Sequence, residues 1–174
     1  MTDSMRRRLT VVAVLGALGL LAAAPAASAL TSGQRLFGGL LARDAGVSAP
    51  IKALLGAGGG GFVDPKILIG DLTGDRRADA VVLVGSGGAA GDVALYVVSR
   101  DGANGRLGNL RVVYAQESGY RLSARVKNAV VTVRTPNYAQ GDDVCCPSTL
   151  TERDLRWNRR TGAFRVSATR QVAL

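Results

Sequence analysis

Three carboxylates within nine residues form the segment of this sequence that is best suited to chemistry. Asp71, Asp75 and Asp79 are spaced four residues apart and lead directly into an apolar run that begins at Ala80. Calcium is a hard cation that takes six to eight oxygen ligands, and carboxylates at such a spacing can curl around it. The alternative interpretation is a polar turn, in which the carboxylates cap backbone N–H groups or pair with neighbouring arginines.

The stretch GDLTGDRRADAVV, which contains these carboxylates, resembles the nine-residue calcium loop of the FG-GAP and VCBS repeats of integrin-like propellers. The resemblance implies calcium as a cofactor, held by side-chain oxygens and one backbone carbonyl. The implied side-chain ligands are Asp71, Thr73, Asp75 and Asp79, and the implied carbonyl is that of Arg77. Thr73 stands where the family usually has Asp or Asn, and Arg76 stands where it usually has Gly. The motif occurs once, so the repeated blades of a propeller are not implied.

The only two cysteines of the chain, Cys145 and Cys146, are adjacent in the segment DDVCCPS. Two cysteines in an oxidising compartment usually pair, although adjacent ones can bond only through a small, strained ring. Three interpretations remain open: a vicinal disulfide that makes a rigid loop corner, thiols that are free or bonded to another chain, and a redox-sensitive or ligand-contacting loop.

A wider resemblance involves the order of three segments, GDLTGD, DDVCCPS and LRWNRRTGAF, across residues 66–166. This order resembles small secreted proteins and lipoproteins of actinobacteria in which a CCPS loop precedes a hairpin with a tryptophan. The resemblance implies an extracytoplasmic location and a strand-rich fold, and it implies no particular activity.

The composition excludes several enzyme classes. The chain contains no histidine, so neither a Ser-His-Asp nor a Cys-His catalytic site can form. A zinc site is not expected, because the two cysteines supply only half of the four ligands that zinc prefers. A carboxylate pair such as Asp142 and Asp143 can do acid–base chemistry, although adjacent acids in a loop are more often solvated or bind a ligand.

Residues 1–29 have the three parts of a secretory signal peptide. Three arginines precede an apolar stretch from residue 9 to residue 24, and small residues follow up to Ala29. The apolar stretch is shorter than the roughly 20 residues of a bilayer span, so cleavage is expected rather than retention as an anchor. The sequence therefore predicts a secreted chain that begins at Leu30 and has no membrane span after processing.

We expect an α+β fold, with an N-terminal helix and a mostly antiparallel β-sheet of six to eight strands. Leu36, Phe37, Leu40 and Leu41 share one helical face, whereas short apolar or alternating runs follow residue 65. Short turns between these runs favour antiparallel pairing. The predicted divisions are a signal peptide at 1–29, a helical segment at 30–55, a Gly-rich linker at 56–64 and an antiparallel β domain at 65–174.

The last two predicted strands form a hairpin around the loop 158–162. Leu155 and Trp157 point to one side of the first strand, and Phe164 begins an alternating pattern in the second. We expect Trp157 to be largely buried against Phe164.

Basic residues dominate the last third of the chain. Residues 119–174 contain ten basic and four acidic residues. Six arginines mostly fall at outward strand positions: Arg121, Arg125, Arg153, Arg156, Arg165 and Arg170. Such a face can attract an anionic envelope polymer or anionic headgroups, whereas the lack of interleaved aromatic residues gives no specific signal for nucleic acid. A solvated arginine-rich face is the alternative, and the sequence does not predict the oligomeric state.

These observations favour an exported, non-catalytic envelope or extracellular domain with a binding or structural role and an unknown ligand. The alternative is a secreted enzyme that uses carboxylate acid–base chemistry. A pocket lined by paired carboxylates would favour the enzyme, and a flat arginine-rich face would favour the binding domain.

Overall fold

A computed structural model describes residues 30–100 and 109–174. The predicted signal peptide at 1–29 and the connection at 101–108 lie outside the described residues. Two helices come first, and two antiparallel sheets follow, which confirms the α+β fold class. Neither of the described helices has the length and apolar character that a bilayer crossing requires.

The helices are α1 (Ser32–Leu41) and α2 (Ala49–Leu55). The strands of the first sheet are β1 (Phe62–Val63), β2 (Leu68–Gly70), β3 (Asp79–Gly85), β4 (Asp92–Arg100) and β5 (Leu110–Gln116). The strands of the second sheet are β6 (Ser123–Lys127), β7 (Val130–Asn137), β8 (Thr149–Asn158) and β9 (Ala163–Ala173).

In the first sheet the strand order is β1-β3-β4-β5, with β2 also paired to β3, and in the second it is β6-β7-β8-β9. The nine strands of the described residues exceed the expected six to eight; β1 has only two residues and lies in the segment 56–64, which the sequence assigns to the Gly-rich linker. The chain divides its strands between two sheets, whereas the sequence analysis expected one.

The two helices and the two sheets stack in three layers. Alternate residues of β3 and β4 face opposite layers: Val82 and Tyr96 belong to the core against the helices, whereas Val81 and Val97 belong to the core against the second sheet. All seven residues of β3 are buried. The first sheet is therefore covered on both faces, which explains why its central strands are continuous apolar runs.

The helical layer is fixed by caps and by one half-buried carboxylate. Thr31 caps α1 in a capping box with Gln34. Ser48 caps α2, and its backbone N–H also donates to the carboxylate of Glu117. The buried Tyr96 hydroxyl donates to the same carboxylate over 2.6 Å. Glu117 thus links the start of α2 to the middle of the first sheet.

The Gly-rich segment between α2 and β1 makes a tight turn against the end of α2. The N–H of Gly61 donates to the carbonyl of Leu54, and that of Gly59 donates to the carbonyl of Gly56. A Cβ atom at Gly59 would collide with the carbonyl oxygens of Ala53 and Leu54. Glycine is needed here because the backbone approaches the helix closely.

The final hairpin brings Trp157 and Phe164 together as the sequence predicts. The two residues are partners in the register of β8 and β9, and their rings meet edge to face with centroids 5.2 Å apart. Phe164 is buried and also contacts Tyr114 of the first sheet. Trp157, however, is only half-buried, because it lies where the core between the sheets ends.

We predict that Phe164→Ala lowers the free energy of unfolding by about 3–5 kcal/mol, since it removes a buried aromatic ring that bridges both sheets. Trp157→Ala should cost clearly less, because part of that ring remains in contact with solvent. Denaturant unfolding of both variants measures the difference. An equal or larger loss for Trp157→Ala would contradict this order.

Candidate functional site

The outer face of the second sheet points away from the first sheet. Most of the charged side chains that contact one another in the structure lie on this face. The register of the strands places four basic residues of the predicted set on this face: Arg125, Arg156, Arg165 and Arg170. Lys127 and Arg134 lie on the same face. We refer to this surface, with Glu152 and Asp154, as the outer face.

The other two arginines of the predicted set lie elsewhere. Arg153 pairs in register with Val133, whose side chain belongs to the core, so Arg153 is on the inner side of the sheet. Arg121 precedes β6 and donates to the backbone carbonyls of Ala89 and Val144. The inner position of Arg153 follows from the alternation along β8, because Arg153 lies two residues before Leu155 and four before Trp157.

Glu152 is the centre of the outer face. It is only 3% exposed and accepts from three guanidinium groups, with Arg170 at 2.5 Å, Arg134 at 2.6 Å and Arg125 at 3.3 Å. Burial alone would raise the pKa of Glu152, but hydrogen bonds from Arg134 and Arg170 outweigh it and hold the pKa below its usual range. The carboxylate therefore stays ionised and organises the arginines around it.

Asp154 extends this network along β8. Its carboxylate accepts from Arg170 at 2.7 Å and from the Thr132 hydroxyl at 2.7 Å. These two hydrogen bonds lower the pKa of Asp154. Arg170 thus spans two carboxylates that lie two residues apart on one strand.

The rest of the outer face is cationic. Arg156 and Arg165 are both exposed and directly opposite each other in the register of β8 and β9. The ion pairs among the described residues all involve Glu152 or Asp154, and neither Arg156 nor Arg165 takes part in them. Like charges that face each other across strands destabilise a sheet. An anion bound between them would remove that cost.

The residues of the predicted calcium loop act mainly as turn caps. The carboxylate of Asp71 accepts the N–H groups of Gly74, Asp75 and Arg76, and that of Asp75 accepts the N–H of Arg77. Arg76, which stands at the family's glycine position, has a φ of 66° and so adopts the left-handed conformation. These contacts agree with the capped-turn interpretation of the sequence.

Two oxygens of the same loop have no hydrogen-bond partner. Asp79 is 1% exposed; its Oδ2 accepts the N–H groups of Leu72 and Thr73, but its Oδ1 is buried and unpartnered. The buried Oγ1 of Thr73 is also unpartnered. Buried polar atoms normally have a hydrogen-bond partner, so two unpartnered oxygens in one loop are unusual. In the described part of the chain, no three His, Cys, Asp or Glu side chains gather as a metal cluster.

Cys145 and Cys146 form a disulfide with each other, and both residues are exposed. Asp142 holds the loop around them: its carboxylate accepts from the hydroxyl and the N–H of Ser148 and from the N–H of Ala139, over 2.6–2.7 Å. These hydrogen bonds, led by the one from the Ser148 hydroxyl, lower the pKa of Asp142. Asp142 thus serves the shape of the loop.

One acidic group that the sequence analysis did not single out is Asp92, at the start of β4. Burial, together with the negative charge of nearby Asp64, raises the pKa of Asp92 to about 6. The two aspartates are 28 residues apart in sequence, and no local pattern links them. Only the pairing of β1 and β4 with β3 shows that they approach each other.

No protein-family model, curated protein or solved structure matches this chain.

We predict that Glu152→Gln lowers the free energy of unfolding at pH 7 by about 1–2 kcal/mol. This loss of stability is near the lower end of the range for hydrogen bonds to charged groups, because the three guanidinium groups are partly solvated. The folded pKa of Glu152 is depressed, so its stabilising effect is present above the unfolded pKa of about 4.3 and is lost as pH falls through the folded pKa. Thermal unfolding from pH 7 to pH 2 should show the two proteins converging at low pH. A difference that stays constant with pH would contradict this assignment.

Proposed function

We propose that this chain is an exported, non-catalytic domain that binds an anionic polymer of the cell envelope through the outer face of the second sheet. The observation that carries the proposal is the exposed Arg156–Arg165 pair, which has no carboxylate between its members. Beside it, Arg170 and its neighbours are already fixed by Glu152 and Asp154. A fixed row of arginines favours repeated anionic groups, since less side-chain entropy is lost on binding.

The shape of this surface supports a polymer ligand. The outer face is one side of a four-stranded sheet, with strands of up to 11 residues in β9. Arg125 on β6 and Arg165 on β9 lie on opposite edge strands of that sheet. Charges spread over a sheet attract an extended anion more than a small molecule, and the attraction weakens with salt.

The protonation states support binding over catalysis. The pKa values of Glu152 and Asp154 are lowered, so both carboxylates are ionised at neutral pH and cannot donate a proton there. A general acid works best when its pKa lies near the working pH. Asp92 is the residue on which the enzymatic alternative would depend, because its pKa is about 6.

The test compares two double variants that lose the same charge. Arg156→Gln with Arg165→Gln should weaken binding to polygalacturonate or polyphosphate about tenfold or more, and should reduce the salt dependence, since two phosphate or carboxylate contacts are lost. Arg35→Gln with Arg43→Gln, in the helical layer, should bind almost as well as the parent. Affinity measured over a series of salt concentrations gives both values.

Equal weakening in the two double variants would mean that net charge alone attracts the polymer and that the outer face is not the site. Unchanged binding in both double variants would show that Arg156 and Arg165 do not bind the polymer.

We also propose that the Asp71–Asp79 loop binds calcium. The two buried, unpartnered oxygens, Thr73 Oγ1 and Asp79 Oδ1, support this second proposal. A bound cation would satisfy both, whereas the capping contacts of Asp71 and Asp75 account only for other atoms of the loop. Extracellular calcium sites commonly bind in the range of about 0.1–1 mM.

Thr73→Val separates the two interpretations of the loop. In calcium-free buffer this variant should be at least as stable as the parent, since it removes a buried hydroxyl that has no partner. At about 10 mM calcium the parent should gain roughly 1–3 kcal/mol, as a ligand bound only by the native state requires, and the variant should gain clearly less. Thermal unfolding with and without calcium measures both. A parent melting temperature that does not respond to calcium would leave the capped turn as the correct interpretation.

A further inference from the structure

The disulfide loop between β7 and β8 is joined to the connection between the two sheets. The Val144 carbonyl, at the tip of this loop, accepts from the guanidinium group of Arg121 over 2.7 Å and from the hydroxyl of Tyr138 over 3.0 Å. Arg121 lies in the segment 117–122, which links β5 of the first sheet to β6 of the second. One carbonyl oxygen thus holds two donors, and one of them belongs to the segment that joins the sheets.

Arg121 extends this link to the turn between β3 and β4. Its Nε–H donates to the carbonyl of Ala89 over 3.2 Å, and its backbone N–H donates to the carbonyl of Ala90 over 2.9 Å. Arg121 has a φ of 48°, so its backbone adopts the left-handed conformation that is uncommon outside glycine. Such a conformation persists only where surrounding contacts fix it, and these hydrogen bonds are contacts of that kind.

The base and the tip of the disulfide loop are held by different means. At the base, the Asp142 carboxylate accepts from Ser148 and Ala139. At the tip, the chain makes a turn in which the N–H of Cys146 donates to the carbonyl of Asp143. Because the two cysteines are adjacent, their disulfide closes a small ring that includes the peptide bond between them, and this ring restricts the backbone of the turn. Opening the disulfide would therefore free the tip and leave the base in place.

The disulfide is accessible to reagents from solvent. Residues 143–146, which include both cysteines, are all exposed. Thiol–disulfide exchange requires a thiolate to reach one of the sulfur atoms, and exposed disulfides are among the more easily reduced ones. The chain has no other cysteine, so after reduction the pair can re-form this bond and no other within the chain.

We propose that the disulfide of this loop is a reversible redox switch. A dithiol reductant opens it, and the open loop releases Arg121 and Tyr138 from the Val144 carbonyl. A thiolate of the reductant first attacks one sulfur atom, which gives a mixed disulfide and frees the other cysteine; the second thiol of the reductant then displaces the remaining cysteine. The protein disulfide takes up two electrons and two protons and becomes two thiols, while the reductant is oxidised to a disulfide.

Release would change how the two sheets are joined. Without the Val144 carbonyl, the side chain of Arg121 keeps only its contact with the turn between β3 and β4. The redox state of an exposed bond would thus reach the junction of the sheets through one arginine. Because coupling between two events is reciprocal, Arg121 and Tyr138 in turn favour the closed disulfide.

The first measurement is reduction of the native protein with dithiothreitol, followed by alkylation and intact-mass spectrometry. Two alkyl groups per chain are expected. The melting temperature should stay nearly unchanged, because Asp142 still holds the base and the opened ring contains almost no chain. The double variant Cys145→Ser with Cys146→Ser imitates the open loop and should not respond to the reductant.

The second measurement follows the backbone amide signals by two-dimensional NMR before and after reduction. In the parent, the signals of residues 89–91 should shift together with those of the loop, and the double serine variant should match the reduced parent there. Arg121→Gln removes the link, so reduction should then shift the loop signals alone. Tyr138→Phe is the matched control: it removes the other donor to the same carbonyl, and the signals of residues 89–91 should still shift.

Arg121→Gln should also make the disulfide easier to reduce. In a glutathione buffer of fixed composition, the loss of one hydrogen bond to the closed loop should raise the reduced-to-oxidised ratio of the cysteine pair about fivefold. Arg165→Gln removes the same charge from the outer face and should leave this ratio unchanged.

Three results would overturn the proposal. These are a disulfide that dithiothreitol does not open in the native protein, reduction that unfolds the whole chain, and signals of residues 89–91 that do not shift in the parent or shift equally in Arg121→Gln. The second result would make the disulfide a structural bridge. None of these outcomes depends on the ligand of the outer face, since no polymer is present in the experiments.

Discussion

The structure depends on the burial of β3 and β4 on both faces. Every other side chain of these strands packs against the helices, and the side chains between them pack against the second sheet. Neither the helices nor the second sheet could bury its apolar face without this shared layer, because each presents only one. Tyr96, in the middle of β4, is fully buried, so its hydroxyl needs a hydrogen-bond partner, which is the carboxylate of Glu117. The helical layer and the second sheet are therefore coupled through two strands.

The second sheet follows a different rule, since only its inner face has a layer to cover it. The inner face carries the buried residues Val131, Val133 and Leu155, and the opposite face carries polar and charged residues. Glu152 is nevertheless almost fully buried there, and its carboxylate contacts three guanidinium groups. The outer face thus has an order that a freely solvated surface would lack. This order makes its excess positive charge suitable for recognition.

The sequence predicts the fold class well because periodicity carries the necessary information. Continuous apolar runs such as Val81–Val84 indicate strands buried on both faces, and the alternation around Trp157 and Phe164 indicates the final hairpin. Periodicity says nothing about which strands share a sheet, so the division into two sheets was not predicted. It also fails at the bulge after Asp154, where one extra residue changes the register with β9.

Some of the functional groups lie close together in sequence, whereas others are brought together only by the pairing of distant strands. The carboxylates of Asp71, Asp75 and Asp79 are visible in sequence because a loop brings near neighbours together. The environment of Glu152 depends on strands β6 to β9, and the approach of Asp64 to Asp92 depends on the first sheet. Sequence spacing cannot reveal such contacts, since each partner comes from a different strand.

The contacts that the acidic side chains make within the protein explain why its surface is cationic. Asp71 and Asp142 cap turns, Glu117 fixes α2, and Glu152 and Asp154 order the arginines of the outer face. Each of these carboxylates is held by donors from the protein itself. The arginines outnumber them, so positive charge remains after every such contact is made. A protein whose acids are used in this way presents cations to its surroundings, which supports the proposal of an anionic ligand.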